Sequence, residues 1–554
     1  MTGFMRPYLM MTIRTSYLVL ARQHFMVRRI KDLFKSENSV RMASVILVIT
    51  LTLSNVLGML RDHFLARTIP TSELDIYFAA FRIPDLIFNF LILGAISSAF
   101  IPVFCEFIAQ KKLDEGFRVT NILLNLAMLT LIACAIIFFF LMPYLTPLVV
   151  PHFEADKMER VTELSRLLMI TPIFFAISYI LSGVLNSFKR FLAYSIAPLV
   201  YNLAIIVGAI FIAPRFGVLG VVYFVILGAI FHVLVQLPTA YHLGFKYQFI
   251  ADIKNLVVRR IVKLMLPRTI GMGMNQIMLI VYTAIASALA AGSISAFNFA
   301  NNIQTMPVVV FGTSFATAVF PTLTTVAAHE DYKSFSFYLS RSVRTIAFIL
   351  IPISLFFILL RAQIIRLILG SGQFAWDDTR LTALTLGYFS ISLVAQGLIP
   401  LLARAFYAVK NTKTPMYISI ITVVVSVILG YIFAPRMGVP GLALAFTLGS
   451  FFNALALYVF LKNDLKRDIG NKVLVILLKI ISISLVSAAG VWVTMHLVAS
   501  VVDMNTFFGV LGQTLAAISA GILIYLLLAY LLDFEEMGWA FSRKVNGVNN
   551  GGQQ

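Results

Sequence analysis

An eight-residue phrase, Ala213-Pro-Arg-Phe-Gly-Val-Leu-Gly220, returns 221 positions later as Ala434-Pro-Arg-Met-Gly-Val-Pro-Gly441. Each copy occupies the short gap between two long apolar stretches. A membrane protein with such a duplication is expected to consist of two related lobes. Two lobes that face each other across the bilayer are typical of transporters that alternate their access.

The composition indicates a membrane protein before any motif is considered. Of 554 residues, 60% are hydrophobic and 12% are charged, whereas a soluble domain carries roughly a quarter charged residues. The net charge of +19 raises the alternative of nucleic-acid binding. Because the basic residues lie in loops between apolar runs, the charge pattern favours membrane orientation, and we expect no nucleic-acid partner. Cys105 and Cys134 lie inside apolar runs, which favours small packed residues over a disulfide or a metal site.

Fourteen apolar runs between Ala43 and Leu532 are long enough to span a bilayer. Lysine-rich and arginine-rich loops alternate with loops that are poor in them, so both termini are predicted to be cytoplasmic, which requires an even number of spans. The sequence predicts an all-α polytopic membrane protein of about 14 transmembrane helices. Two pseudo-symmetric six-helix lobes would surround a central cavity, and two C-terminal helices would be added to them.

The predicted division of the chain has six parts. They are a basic N-terminal leader (1–41), an N-lobe of helices 1–6 (42–243), a cytoplasmic interfacial linker (244–260), a C-lobe of helices 7–12 (261–463), a C-terminal helix pair (464–533) and a cytoplasmic tail (534–554).

Two of these parts allow alternative interpretations. The leader is expected to lie on the anionic inner leaflet, or to precede a true start at Met26 or Met42. In the linker, the apolar residues of Phe245–Arg260 are spaced as one helical stripe with basic residues nearby. This spacing predicts a helix in the inner interface, and the alternative is an irregular basic loop.

Charged residues inside the first two spans are the strongest indication of a site. Arg61 and Asp62 belong to the first span, and Asp75, Arg82 and Asp85 share one face of the second at spacings of seven and three. A charge at mid-bilayer costs ~2.5–3.5 kcal/mol, so it normally faces protein or water. We expect this face to line a hydrophilic cavity; the alternative is an Arg–Asp pair that holds two helices together.

The seventh and eighth spans carry amides where the first two carry charges. Asn275 and Gln276 belong to the seventh span, and Asn301, Asn302 and Gln304 to the eighth. Polar side chains in matching spans of both lobes favour a shared central site. Interhelical hydrogen bonding without a ligand is the alternative.

No catalytic or cofactor-binding pattern is present in the sequence. The chain has no Walker loop, Gly-rich dinucleotide turn or nucleophile elbow, and its histidines are scattered singly. We therefore expect no enzyme activity, no cofactor and no metal site. Active transport would draw on a coupling ion or on the membrane potential, which is worth ~2.3 kcal/mol per charge per 100 mV.

Several motifs resemble the MurJ/MviN family of lipid II flippases, within the multidrug/oligosaccharidyl-lipid/polysaccharide exporter superfamily. The resemblance runs from about Ser44 to Leu532. Its motifs are Ser54-Asn-Val-Leu-Gly-Met-Leu-Arg-Asp62, Asp75 with Phe81-Arg-Ile-Pro-Asp85, Gly183-Val-Leu-Asn186, Gly372-Gln-Phe374, and Leu402-Ala-Arg-Ala-Phe-Tyr407 with Lys413-Thr-Pro415.

This resemblance implies a transporter that moves a polyprenyl-pyrophosphate-linked glycan, most commonly lipid II, to the outer leaflet of the bacterial inner membrane for peptidoglycan synthesis. It also implies that the C-terminal helix pair forms a groove for the lipid tail. Members usually place arginines where this chain has Asn55 and Asn302, so the cavity here is expected to be less cationic. The candidate substrate-binding residues are Arg61, Asp62, Asp75, Arg82, Asp85, Asn55, Gln276 and Asn302.

Two other functions remain compatible with the sequence. One is an ion-coupled exporter of a different lipid-linked saccharide or of an amphiphilic cation. The other is a membrane scaffold without transport activity. The expected partners are the lipid-linked glycan and anionic membrane lipids.

Overall fold

The computed structural model describes residues 40–93, 100–465 and 471–537, and every regular element in these ranges is helical. The predicted all-helical membrane architecture is therefore confirmed. The predicted basic leader before residue 40 and the tail after residue 537 lie outside the described residues.

The N-lobe comprises the elements that precede the linker. They are α1 (Val40–Thr68), α2 (Thr71–Ala80), α3 (Arg82–Phe88), a π-helical segment (Asn89–Leu93), α4 (Ile101–Ala109), α5 (Leu113–Val149), α6 (Ala155–Leu168), α7 (Thr171–Ser187), α8 (Phe191–Ser195), α9 (Ala197–Val207), a second π-helical segment (Gly208–Ile212), α10 (Ala213–Leu234) and α11 (Leu237–His242).

The C-lobe and the C-terminal helix pair follow the linker. The C-lobe elements are α12 (Leu256–Ala286), α13 (Ser293–Pro307), a third π-helical segment (Val308–Thr313), α14 (Ser314–Ala328), α15 (Tyr332–Leu359), α16 (Arg361–Ile368), α17 (Trp376–Ile391), α18 (Leu393–Ala408), α19 (Lys413–Met437) and α20 (Val439–Leu465). The pair comprises α21 (Asn471–Ala499) and α22 (Phe507–Leu531), which pack on each other, and α21 packs on α15.

The repeated phrase forms the same backbone reversal in both lobes. Gly217 has φ 57° and ψ −145°, and Gly438 has φ 67° and ψ −146°. Residues other than glycine rarely adopt this positive-φ backbone conformation, which explains why both copies carry glycine at the fifth position. The duplication seen in the sequence is thus also a duplication of local structure.

Membrane-spanning capacity is distributed along the whole chain. In the described residues, nine helical stretches are long and apolar enough to cross a bilayer, and one further pair, α17 and α18, passes the same test with a bend of 46° between its members. One of the nine runs from Phe191 to His242 and contains the reversal at Gly217. The predicted total of fourteen spans stays a prediction.

The buried core connects the two lobes. One continuous apolar cluster includes most buried N-lobe residues together with Tyr282, Phe297 and Leu442 of the C-lobe. A separate cluster, which includes Phe335 and Phe406, fills the other half of the C-lobe. The shared cluster holds α2 and α3 against α12 and α13, where the candidate site lies.

The linker is not the predicted interfacial helix. Residues 245–250 have no helical structure, and the helix begins at Leu256, which follows the N-cap Asn255. Two asparagines of α5 account for the difference: Asn121 donates to the carbonyl of Lys246 at 2.9 Å, and Asn125 donates to that of Gln248 at 2.8 Å. These side chains satisfy backbone groups that a helix would have paired internally, so the irregular alternative is correct here.

Candidate substrate site between the lobes

Arg61 and Asp62 form the centre of the site near the end of α1. The Nε and Nη2 atoms of Arg61 donate to Oδ1 of Asp62 at 3.0 and 2.8 Å. The Nη1 atom donates to Oδ1 of Asn202 in α9 at 3.3 Å. The Asp62 side chain is almost fully buried, whereas 23% of the Arg61 side chain stays exposed. Arg61 is therefore a fixed cation with part of its surface accessible to a ligand.

The other oxygen of Asp62 binds the opposite lobe. Asn302 of α13 donates from Nδ2 to Oδ2 of Asp62 at 2.8 Å. Asn302 was expected from its span alone to belong to a central site, and the structure brings it next to the Arg61–Asp62 pair. One buried carboxylate thus joins the N-lobe cation to a C-lobe amide.

Arg82 lies in a second cluster of the same interface. Its Nε donates to Oγ1 of Thr283 in α12 at 2.7 Å, and its Nη2 donates to Oδ1 of Asn298 in α13 at 2.8 Å. Arg82 is 6% exposed. In this conformation Arg82 joins the lobes instead of lining an open cavity, and its partners are neutral C-lobe side chains, not a neighbouring aspartate.

Asp85 follows Arg82 by one helical turn in α3. No described ion pair joins the two side chains. The backbone carbonyl of Asp85 accepts a hydrogen bond from Asn89 at 2.7 Å. Asp85 therefore shares the helix face of Arg82 but makes no described side-chain hydrogen bond or ion pair in this cluster.

Asp75 binds the N-terminus of α13. One carboxylate oxygen accepts from the backbone N–H of Gly292 at 2.7 Å, and the other accepts from the N–H and the hydroxyl of Ser295, both at 2.7 Å. Unpaired N–H groups and the positive end of the helix dipole make this position favourable for an anion. Asp75 is 3% exposed, so it acts here as a helix cap supplied by the opposite lobe.

Three further hydrogen bonds close the same end of the interface. The Thr71 hydroxyl donates to Asp378 at 2.9 Å, and the N–H of Gln373 donates to the Arg67 carbonyl at 3.0 Å. His63 Nδ1 lies 2.6 Å from the carbonyl of Ile368. We call this set, together with the Asp75 cap, the α1–α2 closure.

Two predicted residues stand apart from these clusters. Asn55 donates to the carbonyl of Leu51 in its own helix at 3.0 Å. Gln276 is half-buried in α12 and makes no hydrogen bond with a described residue. Their roles in substrate binding stay predictions.

An apolar groove opens beside the charged clusters. It has a volume of about 560 Å³ and lies between α1, the third π-helical segment, α15 and α22. Pro307, Phe311, Phe356 and Ile522 are among its lining residues. A hydrocarbon chain is the ligand that such a surface would stabilise.

Sequence reasoning missed the C-lobe partners of the N-lobe charges. Thr283, Asn298 and Ser295 are common polar residues in transmembrane helices and carry no motif of their own. Gly292 contributes a backbone group only. In the Ser293–Pro307 helix, asparagines recur at 298, 301 and 302, and this recurrence was the available signal.

Among the described residues, no group of three or more His, Cys, Asp or Glu side chains could hold a metal ion. The arrangement offers a partly exposed guanidinium, amide donors and an adjoining apolar groove. It can bind an amphiphile with an anionic head and a hydrocarbon tail.

Comparison with known proteins places this architecture in one family. A family model described as "Lipid II flippase MurJ" matches residues 70–529. A probable lipid II flippase MurJ of Vibrio cholerae is 31% identical over 433 residues, 75% of this chain and 82% of the relative. The lipid II flippase MurJ of Burkholderia cenocepacia is 28% identical over 74% of this chain and 81% of its own.

Solved structures give the same result. A structure described as lipid II flippase MurJ in an inward closed conformation is 25% identical, with a TM-score of 0.74 and coverage of 90% of this chain and 100% of its own. An inward-facing multidrug transporter of the MATE family shares the fold, with a TM-score of 0.64 at 14% identity over 76% of this chain and 98% of its own.

Proposed function

We propose that this chain, which belongs to the lipid II flippase MurJ family, moves lipid II from the inner to the outer leaflet of the bacterial inner membrane. The observation that carries the proposal is the family match across residues 70–529. The product would supply peptidoglycan synthesis, and the protein acts as a transporter, not as an enzyme.

Alternating access explains why the polar groups lie at a lobe interface. We place the α1–α2 closure on the outer side, with both termini cytoplasmic, because the basic loops then face the cytoplasm. Opening toward the outside requires the Asp62–Asn302, Arg82–Asn298 and Asp75–Ser295 contacts to separate. The separated groups would then become available to water or to a headgroup.

Arg61 is the group that we assign to the pyrophosphate. Its fork is fixed by Asp62 and Asn202, and a guanidinium binds phosphate oxygens in two parallel hydrogen bonds. Amide donors such as Asn302 would supply weaker contacts to the same headgroup. The groove of about 560 Å³ beside α22 suits part of the polyprenyl tail.

Energy for net movement comes from the membrane potential or from a coupling ion in this proposal. The sequence has no nucleotide-binding motif. The basic loops of the cytoplasmic side, together with the linker residues Lys254, Arg259 and Arg260, would contact anionic lipids of the inner leaflet.

A complementation experiment tests the function. Bacteria whose own lipid II flippase can be depleted would express this chain, and lipid II at the outer face would be measured by an externally added enzyme that cleaves it. We expect growth and outer-face lipid II to persist. Normal amounts of membrane-inserted protein without outer-face lipid II would contradict the proposal.

A further inference from the structure

A second cleft lies far from the candidate site, between α5 and the helices α6 and α7. It has a volume of about 430 Å³ and is lined by apolar side chains, among them Ile132, Ile136 and Ile173. One charged side chain, Arg166, is among the described residues that line it. Phe140 and Ile170, also in the lining, are 68% and 42% exposed, so the cleft opens to the surface that faces lipid.

Arg166 donates to a backbone carbonyl that a proline leaves without its helical hydrogen-bond donor. Its Nε donates to the carbonyl of Phe139 at 2.9 Å, and its guanidinium lies 4.7 Å from the centre of the Phe139 ring. Pro143, four residues after Phe139, has no N–H and cannot donate to that carbonyl. Arg166 therefore satisfies a backbone group that the helix leaves unpaired.

This task uses one of the five N–H donors of the guanidinium. Neither Nη atom of Arg166 makes a hydrogen bond with a described residue, whereas the nearby Arg160 is paired with Glu73. A single neutral donor would be enough to satisfy the Phe139 carbonyl. The remaining donors and the full charge are available to a ligand in the cleft.

The position of Arg166 along the helix matches a lipid phosphate. Residues 155–166 include five charged side chains before Arg166, whereas residues 167–186 include none. About twenty helical residues without a charge are enough to span roughly 30 Å of hydrocarbon. Arg166 thus lies at the boundary between the hydrocarbon and the headgroups, with the apolar cleft beside it.

We propose that this cleft binds an anionic phospholipid, with the phosphate at the Nη atoms of Arg166 and one acyl chain along the isoleucines. A guanidinium binds phosphate oxygens through two parallel hydrogen bonds. Glu163, one turn earlier, is exposed and does not line the cleft, so its charge acts from outside the pocket. In the orientation proposed above the lipid belongs to the outer leaflet.

The test is native mass spectrometry of the purified protein with added phosphatidylglycerol or phosphatidylcholine. The informative variant is Arg166→Gln, because glutamine keeps an N–H donor for the Phe139 carbonyl and removes the charge. We expect the parent to retain phosphatidylglycerol in preference to phosphatidylcholine. Arg166→Gln should weaken phosphatidylglycerol binding about tenfold or more, as expected for a charge-assisted contact, and should remove most of the preference over phosphatidylcholine.

Two control variants separate lipid binding from the hydrogen bond between Arg166 and the Phe139 carbonyl. Arg436→Gln removes an exposed arginine from the last turn of α19 and should change nothing. Pro143→Ala combined with Arg166→Gln restores the backbone N–H of residue 143, which can donate to the Phe139 carbonyl. The loss of phosphatidylglycerol binding should persist in this double variant. The proposal is overturned if the double variant regains binding, if Arg166→Gln binds as the parent does, or if undecaprenyl phosphate displaces phosphatidylglycerol in an Arg166-dependent manner.

Discussion

Asn302 donates a hydrogen bond to Asp62 across the lobe interface, with 2.8 Å between Nδ2 and Oδ2. The other oxygen of this carboxylate holds Arg61. A single buried aspartate therefore helps to orient Arg61 and also makes one of the contacts between the lobes. Substitutions at these residues should separate substrate binding from lobe closure.

Asn302→Arg should be tolerated and should tighten lipid II binding. An arginine at this position can still donate to Asp62, and it adds a cation beside Arg61. Asn302→Asp should instead weaken binding, because a second carboxylate would face Asp62 and repel the anionic headgroup. Native mass spectrometry of the parent and both variants with lipid II measures the effect. If neither variant differs from the parent, the headgroup does not approach Asn302.

Arg61→Ala should abolish lipid II movement in the complementation experiment. The variant loses two hydrogen bonds to Asp62 and one to Asn202. It also loses the proposed contact with the pyrophosphate, and a charge-assisted contact of ~1.5–3 kcal/mol corresponds to about tenfold or more in binding affinity. Arg61→Lys should restore part of the function because an ammonium has no fork.

Protein level is the control for the Arg61 variants. Arg61→Ala leaves Asp62 buried beside Asn302 without its cation, so the variant Arg61→Ala/Asp62→Asn should be compared with it. Full complementation by Arg61→Ala at parental membrane levels would exclude Arg61 from the mechanism.

Asp75→Ala should loosen the start of α13. It removes three hydrogen bonds to Gly292 and Ser295, each worth ~1.5–3 kcal/mol when the acceptor is charged. Hydrogen–deuterium exchange of the peptide covering residues 290–298 should accelerate about tenfold or more. The matched control is Glu73→Ala, which removes an ion pair with Arg160 inside the N-lobe. Equal acceleration in both variants would contradict the cap.

Gly372→Ala should destabilise the α1–α2 closure. Gly372 has φ 67°, and a Cβ atom there would collide with the carbonyl of Arg67. Gly217→Ala is the control, since Gly217 also has a positive φ but open space around the added atom. Both positions have a backbone conformation that residues other than glycine rarely adopt, at a cost of ~1–3 kcal/mol, and Gly372→Ala should melt at the lower temperature in detergent because it adds the collision. Identical melting temperatures would mean that the collision is relieved locally.

Topology can be tested with cysteine substitutions after the native Cys105 and Cys134 are replaced. Lys189 and Asp503 are exposed on loops that the charge pattern places on opposite sides. An impermeant thiol reagent added outside intact cells should label Asp503→Cys and not Lys189→Cys. Labelling of Lys189→Cys instead would reverse the proposed orientation.

Local chemistry explains which features the sequence could predict. The duplicated phrase identified two lobes because a tight reversal requires glycine at Gly217 and Gly438 in both. Arg61 and Asp62 were found because charges are costly inside a span. These signals depend on the residue itself and on its immediate neighbours.

Contacts between the lobes were not predictable in the same way. Asp75 binds backbone N–H groups, and backbone donors have no sequence signature. Arg82 was expected to line a hydrophilic cavity, with an Arg–Asp pair as the alternative, yet its partners are Thr283 and Asn298, more than 200 positions away. The prediction of a linker helix was wrong, because the apolar stripe gave no sign that asparagines of α5 bind the backbone carbonyls of this segment.

The way in which Asn121 and Asn125 hold the linker also limits how far the two lobes can part. Their hydrogen bonds fix the chain to α5 as far as Ile250, and α12 begins at Leu256. Only residues 251–255 remain to lengthen, and the six extended steps from Ile250 to Leu256 reach about 20 Å. While the asparagine contacts hold, the first turn of α12 cannot move farther than this from its anchor on the N-lobe, so the linker sets an upper bound on the width of the entrance through which a headgroup passes.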